Sequence, residues 1–137
     1  MVKLTDVRSS NTAFKSHSAG FVAIFVGGTS GIGETTVKAL AANGIKCTAY
    51  VVGRNDAAAA AIIKECEALS PESTFTFIKK DVSILRNVDD VVEEIKSKEQ
   101  KVDLLFMTQG YLTFAGRKGM RIGIWILNPF FPILFYW

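Results

Sequence analysis

Four short apolar runs, separated by segments with helical spacing, constrain the fold of this chain most. The runs begin near residues 21, 46, 74 and 102, an interval that accommodates one strand and one helix. The first run, Phe21–Val26, has six apolar residues without a polar interruption, which is typical of a strand covered on both faces in a parallel sheet. Alternating elements of this length predict parallel βαβ units with right-handed crossovers, and therefore an α/β fold of three layers.

Length, composition and charge exclude several other classes. The 137 residues suffice for one domain that buries about two thirds of the unfolded chain's surface. With 49% apolar and 21% charged residues, collagen-like, disordered and disulfide-scaffold chains are excluded. A net charge of +3 is too small and scattered to indicate a nucleic acid or an anionic membrane as partner. Cys47 and Cys66 have no metal-binding or redox spacing, which favours a cytoplasmic location.

The element boundaries follow from local signals. Asn55 is predicted to cap the second helix and Pro71 to end it. Lys96 and Lys98 complement the dipole at the end of the third helix. The predicted strands are Phe21–Val26, Cys47–Val52, a third one with Phe75, Phe77 and Ile78 that ends near Asp81, and Val102–Met107.

The most informative segment is Val26-Gly-Gly-Thr-Ser-Gly-Ile-Gly33, which follows the first strand and opens the first helix. Its glycines permit a tight turn with positive φ and bring bare backbone N–H groups to a helix N-terminus, where a pyrophosphate is stabilised. A glycine triplet can also serve only as a strand-to-helix turn. Its place in the first βαβ unit, between a buried strand and an amphipathic helix, favours nucleotide binding.

With these residues in place, the chain resembles the short-chain dehydrogenase/reductase family, especially its fungal members, over about residues 2–118. The resemblance rests on four segments: the glycine-rich turn, Val52-Gly-Arg-Asn55, Asp81-Val82, and Leu104-Leu-Phe-Met-Thr-Gln-Gly110. It departs from the family pattern in two places. Val26 stands where many relatives have Thr, and Met107-Thr-Gln-Gly110 replaces the commoner Asn-Asn-Ala-Gly.

The resemblance implies a Rossmann-like fold with strand order 3-2-1-4 and a sheet that is incomplete at its C-terminal side. It also implies a role for each matching segment. Thr29, Ser30 and Ile32 would line the diphosphate of a dinucleotide. Asp81 and Val82 would contact the adenine, and Gln109 with Gly110 would flank the nicotinamide-side ribose. The full set of candidate cofactor-binding residues is Gly27, Thr29, Ser30, Gly31, Ile32, Gly33, Arg54, Asn55, Asp81, Val82, Gln109 and Gly110.

The charge after the second strand predicts which dinucleotide is bound. A carboxylate there would bond a ribose 2′-hydroxyl, whereas a cation would pair with a 2′-phosphate. The residue is Arg54, 21 positions beyond Gly33, which favours NADP over NAD. Asp56, two residues further on, is a carboxylate that could bond the 2′-hydroxyl, so NAD remains the alternative cofactor.

The catalytic residues of the family have no match here and remain unknown. The resemblance implies a Tyr, a Lys four residues later and a Ser. No Tyr-x-x-x-Lys occurs in the chain, because Tyr50 and Tyr111 are followed four residues later by Arg54 and Ala115, and Tyr136 is the penultimate residue. The only histidine, His17, lies in a polar segment, and no cluster of residues suggests a metal.

Three regions are expected: a flexible N-terminal arm over 1–20, a dinucleotide-binding half-domain over 21–118, and an atypical apolar tail over 119–137. No charged residue follows Arg121. The tail is too short and too rich in proline for a transmembrane helix. It could pair with the edge of the fourth strand, attach to a membrane, or be a translated non-coding sequence, which is the account we favour. The unpaired edge and the apolar tail predict oligomerisation or aggregation.

The sequence thus predicts the NADP(H)-binding part of a short-chain dehydrogenase/reductase-like oxidoreductase, truncated and without turnover as this chain. The longer protein would act on a carbonyl/alcohol pair of a small molecule whose identity the sequence does not determine. The alternatives are a non-catalytic dinucleotide-binding sensor or interaction module, and a membrane-attached fragment.

Overall fold

The structure is a computed structural model that describes residues 2–17 and 20–110. Its helices and strands, in chain order, are α1 Leu4–His17, β1 Phe21–Val26, α2 Gly31–Ala42, β2 Cys47–Gly53, α3 Asp56–Leu69, β3 Thr74–Lys79, α4 Leu85–Lys98 and β4 Leu104–Met107. The apolar tail over 119–137, the end of the half-domain at 118, and Tyr111 and Tyr136 lie outside the described residues.

The four strands form one parallel sheet in the order β3-β2-β1-β4. This confirms the predicted α/β class and strand order. Val26, the last residue of β1, is the register partner of Val52 on β2 and of Met107 on β4. The carboxyl ends of these three strands therefore meet at one edge of the sheet, where the loops that follow them converge.

Two apolar clusters, one on each face of the sheet, form the core and make the fold three-layered. The first joins β1 and β2 to α2 and α3, and its fully buried members include Phe25, Val37 and Cys66. The second joins the same strands to Val91 and Ile95 of α4. Successive residues of β1 belong to opposite clusters, which explains why its sequence is apolar without interruption.

Local signals locate the ends of the helices. The Asn55 Oδ1 accepts a hydrogen bond of 3.1 Å from the Ala58 N–H, so the predicted cap of α3 is confirmed. The helix ends at Leu69, two residues before Pro71. Lys96 and Lys98 lie in the last turn of α4, as predicted.

The fourth strand is shorter than predicted at its beginning, starting at Leu104 rather than Val102. The reason is Asp103, whose N–H donates to the Val22 carbonyl oxygen at 2.9 Å and whose carboxylate accepts the Val22 N–H at 2.9 Å. A side chain therefore takes the place of a strand carbonyl at this position.

The N-terminal segment that the sequence predicts as an arm contains helix α1, in which Leu4 and Val7 are exposed. The flexibility of the arm stays a prediction. Within residues 2–17 and 20–110, no helix is both long and apolar enough to cross a membrane.

Candidate cofactor-binding site

The loop between β1 and α2 is fastened on both sides by the neighbouring strands. The Gly27 N–H donates to the Val52 carbonyl oxygen at 2.9 Å, and the Thr108 N–H donates to the Val26 carbonyl oxygen at 2.9 Å. The chain leaves β1 toward β2 and returns later to β4 on the other side. Such a reversal of strand order opens a crevice at the carboxyl ends of the strands, where α/β sheets bind their ligands.

Close packing at the bottom of this crevice requires two of the predicted glycines. A Cβ atom on Gly27 would lie 2.9 Å from the backbone nitrogen of Gln109, and one on Gly33 would lie 2.7 Å from the Thr108 Oγ1. The Thr108 hydroxyl also donates to the Gly27 carbonyl oxygen at 3.4 Å. The start of α2 therefore lies directly against the loop after β4.

The first turn of α2 is open to a ligand. Gly31 has a φ of +56°, and a Cβ built on it would meet no atom of residues 2–17 and 20–110 within 4 Å. Ser30 occupies the N-cap position, but its side chain makes no capping hydrogen bond. Because the first N–H groups of a helix have no partner within the helix, they and the helix dipole can hold a diphosphate here.

Two side chains, one in the loop and one in the first turn of α2, lie near this turn. A Cβ on Gly53 would lie 2.7 Å from the Thr29 Cγ2, so the threonine packs directly over the last residue of β2. Ile32, at the start of α2, is 73% exposed and presents an apolar side chain to solvent. Glu34 in the same turn is paired with Lys38 at 2.8 Å, which partly neutralises its carboxylate near the anion site.

Arg54, predicted from its charge to meet a 2′-phosphate, and Asp81, which the resemblance assigns to the adenine, contact each other. The Arg54 Nη1 lies 3.7 Å from the Asp81 Oδ2. Asp81 also accepts hydrogen bonds from the hydroxyl of Ser83 at 2.7 Å and from its N–H at 3.1 Å. These two bonds, and then the charge of Arg54, hold the pKa of Asp81 below its ordinary value. Asp81 is therefore a carboxylate at neutral pH.

The remaining predicted residues follow the other strands. Asn55 uses its side-chain oxygen to cap α3, and Val82 is half-buried against the apolar cluster beneath α4. Gln109 and Gly110 are exposed after β4. The predicted residues thus lie in the loops after β1, β2, β3 and β4 and in the first turn of α2.

Two contacts at this edge were not predicted from the sequence. Thr108 bonds the Gly27 carbonyl oxygen, and its only sequence signal is a hydroxyl directly after an apolar strand. Lys79, the last residue of β3, forms an ion pair with Asp56. No local sequence pattern predicts this ion pair, because the two residues lie 23 positions apart.

The parallel sheet and the glycine-rich loop that opens on α2 define a Rossmann-like, nucleotide-binding type of fold. The family model for short chain dehydrogenase matches residues 21–121. The chain belongs to the short chain dehydrogenase family, as the resemblance predicted.

Several fungal proteins are similar to this chain. Oxidoreductase AN1596 of Emericella nidulans is 40% identical over 124 residues, which cover 90% of this chain and 37% of that protein. Oxidoreductase andH of Emericella variicolor is 41% identical over 110 residues, covering 80% of this chain and 33% of its own length. The chain therefore spans about a third of the length of these relatives.

Solved structures share the fold. L-sorbose reductase from Gluconobacter frateurii, complexed with NADPH and L-sorbose, superposes with a TM-score of 0.59 and 25% identity over 68% of this chain and 34% of that one. A 3-oxoacyl-[acyl-carrier protein] reductase from Brucella melitensis gives a TM-score of 0.57 and 26% identity over 67% of this chain and 35% of its own.

Proposed function

We propose that this chain binds NADP(H) at the carboxyl edge of its sheet, as the cofactor-binding part of an oxidoreductase that acts on a carbonyl/alcohol pair. The open first turn of α2 carries the proposal. There, within the part of the chain that the structure describes, no atom fills the space beside Gly31, and the Ser30 side chain makes no capping hydrogen bond to the helix N-terminus. Bare N–H groups at a positive helix end are the surroundings that a pyrophosphate requires.

The preference for NADP over NAD rests on Arg54. Its guanidinium follows β2, the strand whose end binds the adenosine ribose in this type of fold. It is 74% exposed, so a ligand can reach it. A guanidinium bonds a phosphate through paired N–H donors, whereas a 2′-hydroxyl offers it a weaker partner. A structurally similar reductase is complexed with NADPH.

Within a bound complex, the chain supplies binding and orientation. The N–H groups of the first turn of α2 would hold the diphosphate, with Thr29 and Ile32 at its sides. Asp81 and Val82 would border the adenine, and Gln109 with Gly110 would flank the ribose of the nicotinamide. The dinucleotide supplies the hydride chemistry.

The absence of a Tyr-x-x-x-Lys motif from the 137 residues leads us to expect no turnover by this chain alone. The same observation favours a second candidate, a non-catalytic dinucleotide-binding module. NADPH-dependent capture of a protein partner by the full chain would support the module. Reduction of a carbonyl substrate by the full chain with NADPH would exclude it.

A calorimetric titration of the full chain with NADPH and NADH tests the proposal. We expect NADPH to bind more tightly, and Arg54→Ala to weaken NADPH binding by about tenfold while NADH binding changes little. Lys64→Ala is the matched control, because it removes one positive charge from an exposed side chain on α3. A folded sample that binds neither dinucleotide would contradict the proposal.

A further inference from the structure

Two crossed ion pairs join the segment 54–56, which follows β2, to the segment 79–81 at the end of β3. Arg54 contacts Asp81 at 3.7 Å, while Lys79 contacts Asp56. Each pair therefore links one residue of the segment 54–56 with one residue of the segment 79–81. The two strands are in register here, since Gly53 is the partner of Lys79 and accepts a hydrogen bond of 3.0 Å from the Lys80 N–H.

The crossed arrangement holds a second cation, Lys79, against the segment 54–56 that carries Arg54. Neighbouring parallel strands lie about 4.8 Å apart, so the backbones of Gly53 and Lys79 are adjacent. Asp56 lies only two residues beyond Arg54, and the Lys79 ammonium contacts its carboxylate. The ammonium is thus held beside the loop that carries Arg54, although Lys79 belongs to another strand.

Both pairs are accessible and weak enough to exchange partners. The side chains of Lys79 and Asp56 are 64% and 58% exposed, and ion pairs between exposed groups contribute little to stability. A phosphate monoester carries a charge near −2 at pH 7 and offers three acceptor oxygens. It competes well with a single carboxylate for an ammonium group.

We propose that Lys79 is a specificity-determining residue, the second cation for the 2′-phosphate, and that it exchanges Asp56 for the phosphate when the ligand binds. This inference rests on the proposed function and adds a residue to the same site. In the free protein the charges of the four groups, Arg54, Asp56, Lys79 and Asp81, sum to zero. In the complex Arg54 and Lys79 together balance the phosphate.

Neither carboxylate is left without stabilisation by this exchange. Asp56 lies in the first turn of α3, where the helix dipole favours a negative charge. Asp81 keeps its two hydrogen bonds from Ser83. Asp56 nevertheless repels an incoming phosphate and competes for Lys79, so it opposes the binding of a 2′-phosphorylated ligand.

The test compares two small ligands that differ only in the 2′-phosphate, adenosine 2′,5′-bisphosphate and 5′-AMP, by calorimetry with the full chain at low salt. We expect Lys79→Met to weaken binding of the bisphosphate by about fivefold and to leave 5′-AMP unchanged. Asp56→Asn should tighten binding of the bisphosphate by about threefold, since it frees Lys79 and removes a repelling charge. Both effects should shrink as salt is added.

Lys64→Met, which removes an exposed lysine of α3, is the matched control and should leave both affinities as they are. Thermal melting of each variant shows whether it is folded. The inference is overturned if Lys79→Met has no effect on the bisphosphate, or if it weakens both ligands equally. If the unaltered chain binds neither ligand, nor NADPH or NADH, the proposed function fails and this inference fails with it. Binding that does not depend on Lys79 overturns this inference alone.

Discussion

At the scale of single residues, two glycines in the first turn of α2 meet different physical demands. Gly31 has a positive φ, and no atom of the described part of the chain lies within 4 Å of the position of a Cβ. Gly33 has no positive φ, but a side chain there would collide with the Gly27 carbonyl oxygen and the Thr108 hydroxyl. The first glycine permits a backbone conformation, whereas the second permits an approach between α2 and β4.

We therefore expect Gly31→Ala and Gly33→Ala to differ. Gly31→Ala should lower the free energy of unfolding by about 1 kcal/mol, the cost of a left-handed conformation. Gly33→Ala should cost about 2–3 kcal/mol, because an added Cβ overpacks the contact, and it should weaken NADPH binding by displacing α2. Urea unfolding and NADPH titration measure both effects. Lys64→Ala on the exposed side of α3 is the control and should change neither quantity; equal losses in all three variants would contradict this account.

The capping of α3 likewise depends on a single residue, Asn55. Asn55→Ala removes the acceptor of the Ala58 N–H and should lower the free energy of unfolding by about 1 kcal/mol. Asn55→Asp preserves a capping oxygen and should retain most of the stability. Urea unfolding of the two variants measures the contribution of the cap. Equal free energies of unfolding for Asn55→Ala and Asn55→Asp would show that the capping oxygen contributes nothing.

At the scale of elements, a buried hydroxyl group fastens the beginning of β3 to the beginning of β2. The Ser73 Oγ donates to the Ile45 carbonyl oxygen at 3.1 Å and accepts from the Cys47 N–H at 3.1 Å. Its contact with the Ser70 Oγ is 2.8 Å. Because the single Ser73 proton is directed to Ile45, Ser70 is the donor in that contact.

Ser73→Ala should consequently lower the free energy of unfolding by about 1–3 kcal/mol, since it leaves the buried Cys47 N–H without an acceptor. The midpoint of urea unfolding measures this loss. Ser97→Ala on the exposed side of α4 is the control and should change stability by less than about 0.5 kcal/mol. A Ser73 variant as stable as the control would show that water replaces the hydroxyl.

The outer strand β4 carries the predicted association. Among residues 20–110 it is an end strand of the sheet, and its Leu105 and Met107 side chains are 57% and 50% exposed there. Edge strands with exposed apolar residues promote pairing between molecules. We expect the elution volume in size-exclusion chromatography to depend on concentration, and Leu105→Lys with Met107→Lys to reduce this dependence. Leu85→Lys on α4 should have no such effect; an unaltered chain that stays monomeric would contradict the prediction.

At the scale of the whole molecule, the titrating groups set the pH range in which the fold is stable. The Val22 N–H and then Lys101 hold the pKa of Asp103 below its ordinary value, and Asp81 is shifted in the same direction. Burial, and then the hydrogen bond that its hydroxyl donates to Glu99, raise the pKa of Tyr50 to about 12. Burial raises the pKa of Cys66 to about 11.

The directions of these shifts predict two limits. The aspartates contribute stability above their unfolded pKa near 3.8, and this contribution is lost as the pH falls through the lower folded values. Tyr50 contributes stability below its unfolded pKa of 10.0, and this is lost as the pH rises toward about 12. The free energy of unfolding should therefore be greatest between these limits.

Urea unfolding at a series of pH values checks this expectation. Asp103→Asn should flatten the loss of stability on the acid side, whereas Asp89→Asn, at an exposed carboxylate of α4, should not. Tyr50→Phe should flatten the loss on the alkaline side. An unchanged pH profile in the Asp103 and Tyr50 variants would contradict the assignment.

Local patterns in the sequence determined much of the fold. The uninterrupted apolar run of β1 predicted a strand buried on both faces, because each face needs an apolar partner. Asn55 and Pro71 predicted where α3 begins and ends, because capping and the geometry of proline act on nearby backbone. The resemblance supplied the strand order, which the sheet confirms, whereas the diphosphate site at the glycines of the turn stays a prediction. The helix within residues 4–17 was not predicted, since that segment is polar and lacks a strong apolar period.

Contacts between residues distant in the chain were decided only by the tertiary structure. Asp103 partners Val22, and Arg54 partners Asp81, because the sheet brings their strands together in one register. Lys79 reaches Asp56 for the same reason. Local signals act over a few residues of backbone and can be recognised in a sequence. The distance between two loops depends on how strands pair, and for this reason the residues around Arg54 became known only from the fold.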